Sequence, residues 1–266
     1  MYRLLVVGDS YEAHTITRYF RSKNQRVFCL IGHSEAADSI RGIGAEPIFA
    51  DLPSGELSQP LPAVQFVIFV QPNQGEKDPY LKGVSNFLGR LKRNPAPTFL
   101  LCVTGLEIWG RGIGDWVDES TIPQPDTPWG EALLKAERRI LLSGYAAGIL
   151  RIGKVYGNHD SFVKAAGDFE KIDQYLSFLH EDDLMGVMPR VLKKIKAGGV
   201  LIASEDEPLL ESEVNRYLNG NFGQPVKKPV GFETGIRGVR LRNTALKNLG
   251  YRFAHRVGGL FAQNER

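Results

Sequence analysis

Continuous apolar runs, rather than alternating apolar and polar positions, dominate the first 157 residues of the chain. A strand covered on both faces is apolar along its whole length, as in a parallel sheet, whereas a half-exposed strand alternates. The sequence therefore predicts a set of buried parallel strands. Their runs are YRLLVVG (2–8), RVFCLIG (26–32), AEPIFAD (45–51), FVIFVQ (66–71), TFLLCVTG (98–105) and GILRIGKVYG (148–157).

Helical stretches fill the gaps between these runs. Helices are predicted over 12–23, 78–93 and 128–144, the last with Asp126 or Thr127 as its cap and Pro128 in its first turn. Repeated strand and helix units joined by right-handed crossovers build a doubly wound sheet. The predicted fold class is α/β, a Rossmann-like doubly wound parallel sheet with a small C-terminal cap lobe.

The pattern loosens after residue 157. It predicts a helix at 182–197, a strand at 199–204 and a helix near 209–220, followed by a tail rich in Gly, Pro and Arg from 225 onward. We therefore expect residues 1–157 to form the core. Residues 158–266 are expected to be mostly a cap or substrate lobe, with 199–204 returning to the core sheet.

Composition and charge are those of an ordinary soluble globular protein. The net charge is +3, with 42% hydrophobic and 24% charged residues, and no apolar run approaches the roughly 20 residues that span a membrane. No signal-peptide pattern opens the chain, so a cytoplasmic location is expected, with no membrane and no nucleic acid as partner. Cys29 and Cys102 lie in apolar runs, where a thiol acts as a small hydrophobe.

Seven landmarks, taken in order, resemble one known superfamily. Together they are similar to the extended short-chain dehydrogenase/reductases, the NAD-dependent epimerase/dehydratase group, and among them to the atypical YeeZ-like members. The resemblance covers nearly the whole chain and implies an NAD(P)-binding core over 1–157. Its anchors are Gly8, Asp51, TGLEIWG (104–110), DWVDESTIPQPDTPWG (115–130), LRIGKVYG (150–157), LHEDDLMGV (179–187) and RLRNTALKNLGYRF (240–253).

The nucleotide-binding turn departs from the pattern of that superfamily. Its G-x-x-G-x-x-G stretch maps onto Gly8, Tyr11 and His14, so two of three glycines are missing. The first glycine makes the tight turn, the second admits the pyrophosphate, and the third lets the helix pack closely on the strand. Tyr11 puts a ring where a diphosphate would lie unless it points away. The helix N-terminus remains an anion site through its free N–H groups.

The resemblance also assigns the other cofactor-binding positions. His33 and Ser34 follow the second strand, where dinucleotide binders contact the adenosine ribose, and they favour NADP or give no fixed choice between NAD and NADP. Asp51 and Leu52 match positions near the adenine, although an Asp after a strand is equally a turn former. The predicted cofactor-binding residues are Gly8, Asp9, Ser10, Tyr11, Glu12, His33, Ser34, Asp51, Leu52 and Gln71. We expect NAD(P) binding to be weakened or lost.

All three catalytic residue types are replaced at the aligned positions. The Ser/Thr of the superfamily falls on Gly105, and counting back from Glu137 places its Tyr at Trp129 and its Lys at Leu133. An indole N–H donates a hydrogen bond but does not exchange a proton as a phenol does, and leucine does neither job of the lysine. Conventional hydride chemistry is therefore not expected.

Other polar and aromatic residues remain candidates. Thr104 and Glu107 are the candidate catalytic residues, because Glu107 falls where sugar-nucleotide dehydratases carry a glutamate base; a solvated or salt-bridged carboxylate is the alternative. The candidate substrate residues are Trp109, Lys154, His180 and Arg237. Core packing is the alternative for Trp109 and surface solvation for Arg237. No metal site is predicted, because His180 and the acids after it lack a third ligand at metal-binding spacing.

Three functions remain open at this point. The first is a redox-inactive nucleotide-binding or regulatory module. The second is an NAD(P)-dependent epimerase, reductase or dehydratase that acts on a sugar nucleotide or similar carbonyl substrate with displaced catalytic groups. The third is a structural subunit, either in a homodimer or with another protein. All three stay open because fold alone does not fix function. The expected small-molecule partner is a nucleotide or a sugar nucleotide.

Overall fold

The computed structural model of the protein describes residues 1–72, 74–92, 97–157, 159–166, 173–222 and 237–257. The strands in these ranges are β1 (Arg3–Val7), β2 (Arg26–Ile31), β3 (Glu46–Asp51), β4 (Glu56–Leu57), β5 (Phe66–Val70), β6 (Phe99–Thr104), β7 (Trp116–Val117), β8 (Ala147–Ile152), β9 (Lys154–Tyr156), β10 (Tyr175–Leu176), β11 (Phe178–His180), β12 (Val200–Ala203), β13 (Leu209–Leu210) and β14 (Arg240–Leu241). The helices are α1 (Tyr11–Ser22), α2 (Ala36–Gly42), α3 (Lys77–Leu91), α4 (Pro128–Leu141), α5 (His159–Ala166), α6 (Glu181–Lys194), α7 (Glu211–Phe222) and α8 (Thr244–Asn248).

One sheet organises the molecule. Its strand order is β12-β8-β6-β5-β1-β2-β3-β4, and every pairing in it is parallel except the short one between β3 and β4. The strand order reverses between β1 and β5, and in sheets of this kind a crevice opens there beyond the carboxyl ends of the strands. This arrangement confirms the predicted Rossmann-like α/β class.

Helices cover both faces of the sheet, which is why the strands lack polar alternation. Leu4 and Val6 of β1 belong to a core shared with α1, α2 and α6, while Leu5 and Val7 belong to a second core shared with α3 and α4. Successive side chains of a strand point to opposite faces. Both sets must therefore be apolar, and a continuous hydrophobic run results.

The apolar run at 148–157 is not a single strand, so that prediction is wrong. β8 ends at Ile152, and after Gly153 the chain continues as β9, which pairs in parallel with β11 in a separate two-stranded sheet. A Cβ atom at Gly153 would lie 2.8 Å from the carbonyl oxygen of Ser177, so the close approach of these backbones requires glycine there. The break directs β9 away from the main sheet.

The later part of the chain surrounds the edge strand β12. This strand pairs in parallel with β8, and α8 packs against it. A small third core joins α5, α7 and the strands β9 to β11 around Phe162 and Phe178. Residues 223–236 and 258–266, which hold much of the tail predicted for the cap lobe, lie outside the described residues. None of the helices in the described ranges is long and apolar enough to cross a membrane.

A buried ion pair joins α4 to the sheet. Arg151 of β8 donates two hydrogen bonds to the Glu137 carboxylate, at 3.2 and 2.9 Å, and its guanidinium lies 5.0 Å from the ring centroid of Trp109. Both side chains of the pair are nearly inaccessible to solvent. Burial raises the pKa of the Glu137 carboxyl, and the bonds from Arg151 oppose that effect. Loss of either partner would leave an uncompensated charge in the core.

Replacement of Glu137 should therefore destabilise the protein strongly. We expect Glu137→Ala to lower the free energy of unfolding by about 3–5 kcal/mol, because Arg151 then stays buried without a counter-charge. Glu131→Ala on the same helix is the matched control, since its ion pair with Lys77 is half exposed and should contribute at most about 1 kcal/mol. Urea unfolding measures both variants. Equal midpoints for the two variants would show that the buried pair has no special weight.

Candidate functional site

A cavity of about 490 Å³ lies at the carboxyl ends of β1, β2, β3 and β5, next to the reversal of strand order. Ligand pockets generally have volumes of about 300–1,000 Å³. Part of the polar wall comes from the turn after β1 and from the ends of β2 and β3. The residues there are Gly8, Asp9, Ser10, His33 and Asp51.

Gly8 shapes the turn that closes this cavity. Its φ is +122°, and a Cβ atom there would lie 2.9 Å from the carbonyl oxygen of Val70. The next residues start α1, where the Ser10 hydroxyl caps the helix by accepting the N–H of Ala13 at 3.4 Å. The first glycine of the turn thus keeps its structural role without the other two.

Tyr11, at the second glycine position, points toward α6. Its hydroxyl donates to Glu181 Oε2 at 2.6 Å, and Arg18 donates to the same oxygen at 2.6 Å. Although partial burial of Glu181 opposes ionisation, the bonds from Tyr11 and Arg18 lower the pKa of its carboxyl. Tyr11 does not line the cavity. The Tyr11 ring therefore points away from the cavity, and its hydroxyl links the start of α1 to the start of α6.

Glu12 places a carboxylate in the first turn of α1. Its side chain is buried in the first turn, and Oε2 has no hydrogen-bond partner among the described residues. A negative charge there interacts favourably with the helix dipole. Glu12 therefore already supplies the anion that a diphosphate would provide at this helix end.

His14, at the third glycine position, sits over α2. Its Nδ1 lies 3.4 Å from Ser39 Oγ, and burial lowers the pKa of the imidazole. Close contact between α1 and β1 is instead made by Ala13, whose Cβ lies within 3.8 Å of a Cβ built at Gly8. The packing role of the third glycine has therefore moved by one residue.

The aligned catalytic positions are filled by packing. Leu133 is buried in a cluster with Ile108 and Trp109, and the Trp129 ring lies against Gly75 and 4.9 Å from the ring centroid of Tyr80. Both Trp129 and Tyr80 line the cavity, at the side facing α4. They form an aromatic wall at this side of the cavity.

Glu107 occupies the space next to Gly105, the predicted Ser/Thr position. A Cβ atom at Gly105 would lie 2.5 Å from Glu107 Oε2, so a serine or threonine at 105 would compete with this carboxylate. The side chain is exposed to solvent. Partial desolvation raises the pKa of its carboxyl, while the charge of Lys154 lowers it and that of Glu12 raises it.

The structure brings together only part of the predicted site. Gly8, Asp9, Ser10, His33, Asp51 and Leu52 line the cavity, whereas Tyr11, Glu12, Ser34 and Gln71 do not. The Gln71 amide is buried and donates to the carbonyl oxygen of Leu133 at 3.5 Å. The role of Gln71 in cofactor binding stays a prediction.

The remaining candidates lie elsewhere. Thr104 is buried at the end of β6, and its hydroxyl has no hydrogen-bond partner among the described residues. Trp109 is buried beneath Arg151. Lys154 is exposed on β9, His180 caps α6, and Arg237 forms an isolated bridge with Gln174. None of these five lines the cavity.

Sequence reasoning missed the contribution of α3 to the cavity. Glu76, Pro79, Tyr80, Gly83 and Val84 line it from the start of this helix. A Cβ atom at Gly83 would lie 3.1 Å from Leu52 Cβ, so the glycine allows α3 to approach the loop after β3. A glycine inside a helical pattern is a signal of such close packing. Tyr80 also has a hydroxyl that is buried without a hydrogen-bond partner in the described part of the chain, and burial raises the pKa of its phenol.

Comparison with solved structures identifies the class of this fold. The chain superposes on a functionally unknown conserved protein from Silicibacter pomeroyi DSS with a TM-score of 0.77 and 22% identity, covering 100% of both chains. It superposes on a protein from Methylobacillus flagellatus described as an NAD-dependent epimerase/dehydratase with a TM-score of 0.75 and 19% identity, covering 100% of this chain and 99% of the other. A dTDP-glucose 4,6-dehydratase from Bacillus anthracis, solved in complex with NAD, superposes with a TM-score of 0.74 and 17% identity, covering 96% of this chain and 92% of the other.

These likenesses confirm the predicted resemblance at the level of the fold. The chain has the Rossmann-like fold of the epimerase/dehydratase branch of the short-chain dehydrogenases. No protein-family model matches the sequence, and no curated protein matches it significantly.

Substitution of Gly8 tests the turn at the base of the cavity. We expect Gly8→Ala to destabilise the fold by about 1–3 kcal/mol, because alanine is strained at a φ of +122° and its Cβ would press on the Val70 carbonyl. Gly89→Ala in α3 is the matched control. Its Cβ would meet nothing within 4 Å, so helix propensity should stabilise it by up to about 1 kcal/mol. Thermal unfolding measures both, and a neutral Gly8→Ala would contradict the strain argument.

Proposed function

We propose that this chain is an atypical short-chain dehydrogenase-like module that binds an adenine nucleotide by its adenosine half and carries out no conventional hydride transfer. It acts as a binding or regulatory protein. The observation that carries the proposal is the shape of the cavity, which follows the ends of β1, β2, β3 and β5 and ends at the aromatic wall of Tyr80 and Trp129.

The cavity wall fits an adenosine group. Leu30, Ala50, Phe69 and Val84 provide apolar surface for a flat base, and the Asp51 carboxylate offers an acceptor for the exocyclic amine of adenine. His33 lies at the end of β2, where a ribose hydroxyl is contacted in this fold type. The solved dehydratase of B. anthracis in complex with NAD supports a nucleotide as the ligand of such a fold.

The surroundings of α1 are unfavourable for a diphosphate. Glu12 carries a carboxylate in the first turn, and Arg18, a cation of the same helix, is paired with Glu181. A diphosphate brings further negative charge to this helix end and meets neither a second glycine nor an unpaired Arg18. The residues therefore fit the adenosine half of NAD(P) and do not fit the rest of it.

The aromatic wall supports the absence of hydride chemistry. Trp129 holds only a donor N–H, and Leu133 is buried and apolar, so neither supplies the proton exchange or the cation of the superfamily pair. Leu133 is packed among Ile108 and Trp109, which leaves no room for a lysine ammonium at that point.

Titration calorimetry with AMP, NAD⁺ and NADP⁺ tests this proposal. We expect AMP and NAD⁺ to bind with affinities within about tenfold of each other, because the nicotinamide half adds little free energy. Asp51→Ala should weaken AMP binding by about tenfold or more, since a hydrogen bond to a charged group contributes about 1.5–3 kcal/mol.

Asp38→Ala is the matched control, because Asp38 is an exposed carboxylate of α2 that does not line the cavity. It should leave AMP binding unchanged. Failure of all three nucleotides to bind at millimolar concentration would refute the proposal, as would NAD⁺ binding far more tightly than AMP.

An enzyme with displaced catalytic groups is the second candidate function. It would be an NAD(P)-dependent epimerase, reductase or dehydratase acting on a sugar nucleotide or similar carbonyl substrate. The environment of Glu107 favours it, because a carboxyl with a raised pKa near the charge of Lys154 is suited to proton transfer. Thr104, three residues earlier in the chain, has a buried hydroxyl with no hydrogen-bond partner among the described residues.

Turnover assays separate this candidate from the binding module. If sugar nucleotides are converted in the presence of NAD⁺, NADH or NADPH, Glu107→Gln should lower kcat by about a hundredfold or more, which is the usual contribution of a general acid or base. Thr104→Ala should also impair turnover. Unchanged rates in both variants would remove these residues as catalytic groups, and no conversion of any sugar nucleotide would remove the candidate itself.

A further inference from the structure

Two histidines and an aspartate meet at the start of α6, outside the nucleotide cavity. His180 ends β11 and caps α6, Asp182 lies in the first turn of that helix, and His255 lies in the C-terminal segment 251–257. One ligand atom from each of the three lies within 4.8 Å of the others. The sequence prediction of no metal site rested on the missing third ligand, and the fold brings that ligand from 73 positions downstream of Asp182.

Hydrogen bonds select the nitrogen that each imidazole offers. Nδ1 of His180 accepts the backbone N–H of Asp182 at 3.1 Å, so this nitrogen carries a lone pair. Nδ1 of His255 lies 3.2 Å from Asp183 Oδ2 and donates to that carboxylate, which leaves the lone pair on Nε2. A carboxylate behind a histidine is the usual outer partner in metal sites, since it orients the ring and raises its basicity.

Two of the separations between the ligand atoms are close to those around one ion. Asp182 Oδ2 lies 3.6 Å from His255 Nε2 and 3.7 Å from His180 Nδ1. Ligands that bind a zinc ion at about 2.0–2.2 Å in a tetrahedral arrangement are separated by about 3.3–3.6 Å. The two imidazoles are stacked, with ring centroids 3.9 Å apart and planes at 14°. The His255 side chain is the more exposed of the two.

In the described part of the chain, the two carboxylates at this point have no basic partner other than histidine. Among the described residues, neither Asp182 nor the buried Asp183 forms an ion pair with a lysine or arginine. The Asp183 carboxylate is instead surrounded by uncharged donors, the hydroxyl of Tyr251 at 2.8 Å and the backbone N–H groups of Ala254 and His255. A divalent cation would compensate this charge.

We infer that His180 Nδ1, Asp182 Oδ2 and His255 Nε2 form a binding site for a divalent transition-metal ion of the zinc type, with water completing the coordination. Imidazole and carboxylate ligands suit such an ion. The ion takes the place of the Asp182 N–H at His180 Nδ1. Since His255 belongs to segment 251–257 and the other two ligands to the start of α6, the bound ion fastens this segment to the helix and acts as a structural clip.

The full chain, freed of metal with a chelator, tests this site in a titration with Zn²⁺ alone against a chromophoric competitor. We expect one Zn²⁺ per chain, a higher melting temperature with Zn²⁺, and visible absorption bands of a four-coordinate ion when Co²⁺ replaces it. His255→Ala and Asp182→Asn should each weaken binding by more than about tenfold, because even outer-shell losses cost 10–100-fold. Both side chains are partly exposed, so these variants should fold.

Asp38→Asn is the matched control for Asp182→Asn, because Asp38 is an exposed carboxylate of α2 that lies outside both the cluster and the nucleotide cavity. It should bind Zn²⁺ as the unmodified protein does. Absence of stoichiometric binding in the unmodified protein would overturn the proposal. Binding that survives both His255→Ala and Asp182→Asn would overturn it as well, since the ion would then lie elsewhere.

Discussion

Burial of the parallel sheet on both faces is the constraint on which the rest of this structure depends. Because parallel pairing aligns the carboxyl ends of β1, β2, β3 and β5, the turns that line the cavity lie at one edge of the sheet. Two separate apolar cores hold the sheet between α1, α2 and α6 on one side and α3 and α4 on the other. The buried pair of Glu137 and Arg151 then fixes α4, and with it the wall of the cavity, to β8.

Residues at the predicted cofactor and catalytic positions are held by contacts with their neighbours. The hydroxyl of Tyr11 binds Glu181 at the start of α6, so the turn after β1 has a fixed partner. Glu107 occupies the space that a side chain at Gly105 would need, and Trp129 packs against Gly75 and Tyr80. The site is therefore a coherent structure of its own, with a cavity on the β2 and β3 side and packed side chains on the α4 side.

The start of α6 links the turn after β1 to segment 251–257. Glu181 contacts Tyr11 and Arg18 of α1, while Asp182 and Asp183, the next two residues, contact the C-terminal segment through His255 and Tyr251. Three consecutive acids thus face two different partners, because neighbouring positions on a helix point about 100° apart. Their charge also favours the N-terminal end of the helix. Segment 251–257 and the turn after β1 therefore contact the same first turn of α6.

The sequence by itself determined the class of fold and most elements of the core, although it merged β8 and β9 into one strand. Continuous apolar runs gave the parallel strands, and capping residues such as Thr127 gave the start of α4, because these signals are local and periodic. It also located Gly8, His33, Asp51 and Leu52 at the cavity, since they follow directly on strand ends. Only the tertiary structure decided that Gly153 breaks the last apolar run, that Tyr11 turns toward Glu181, and that Tyr80 and Gly83 of α3 reach the cavity. The meeting of His180 with His255 belongs to the same group, because it joins residues far apart in the chain, and contacts of that kind arise from packing rather than from local pattern.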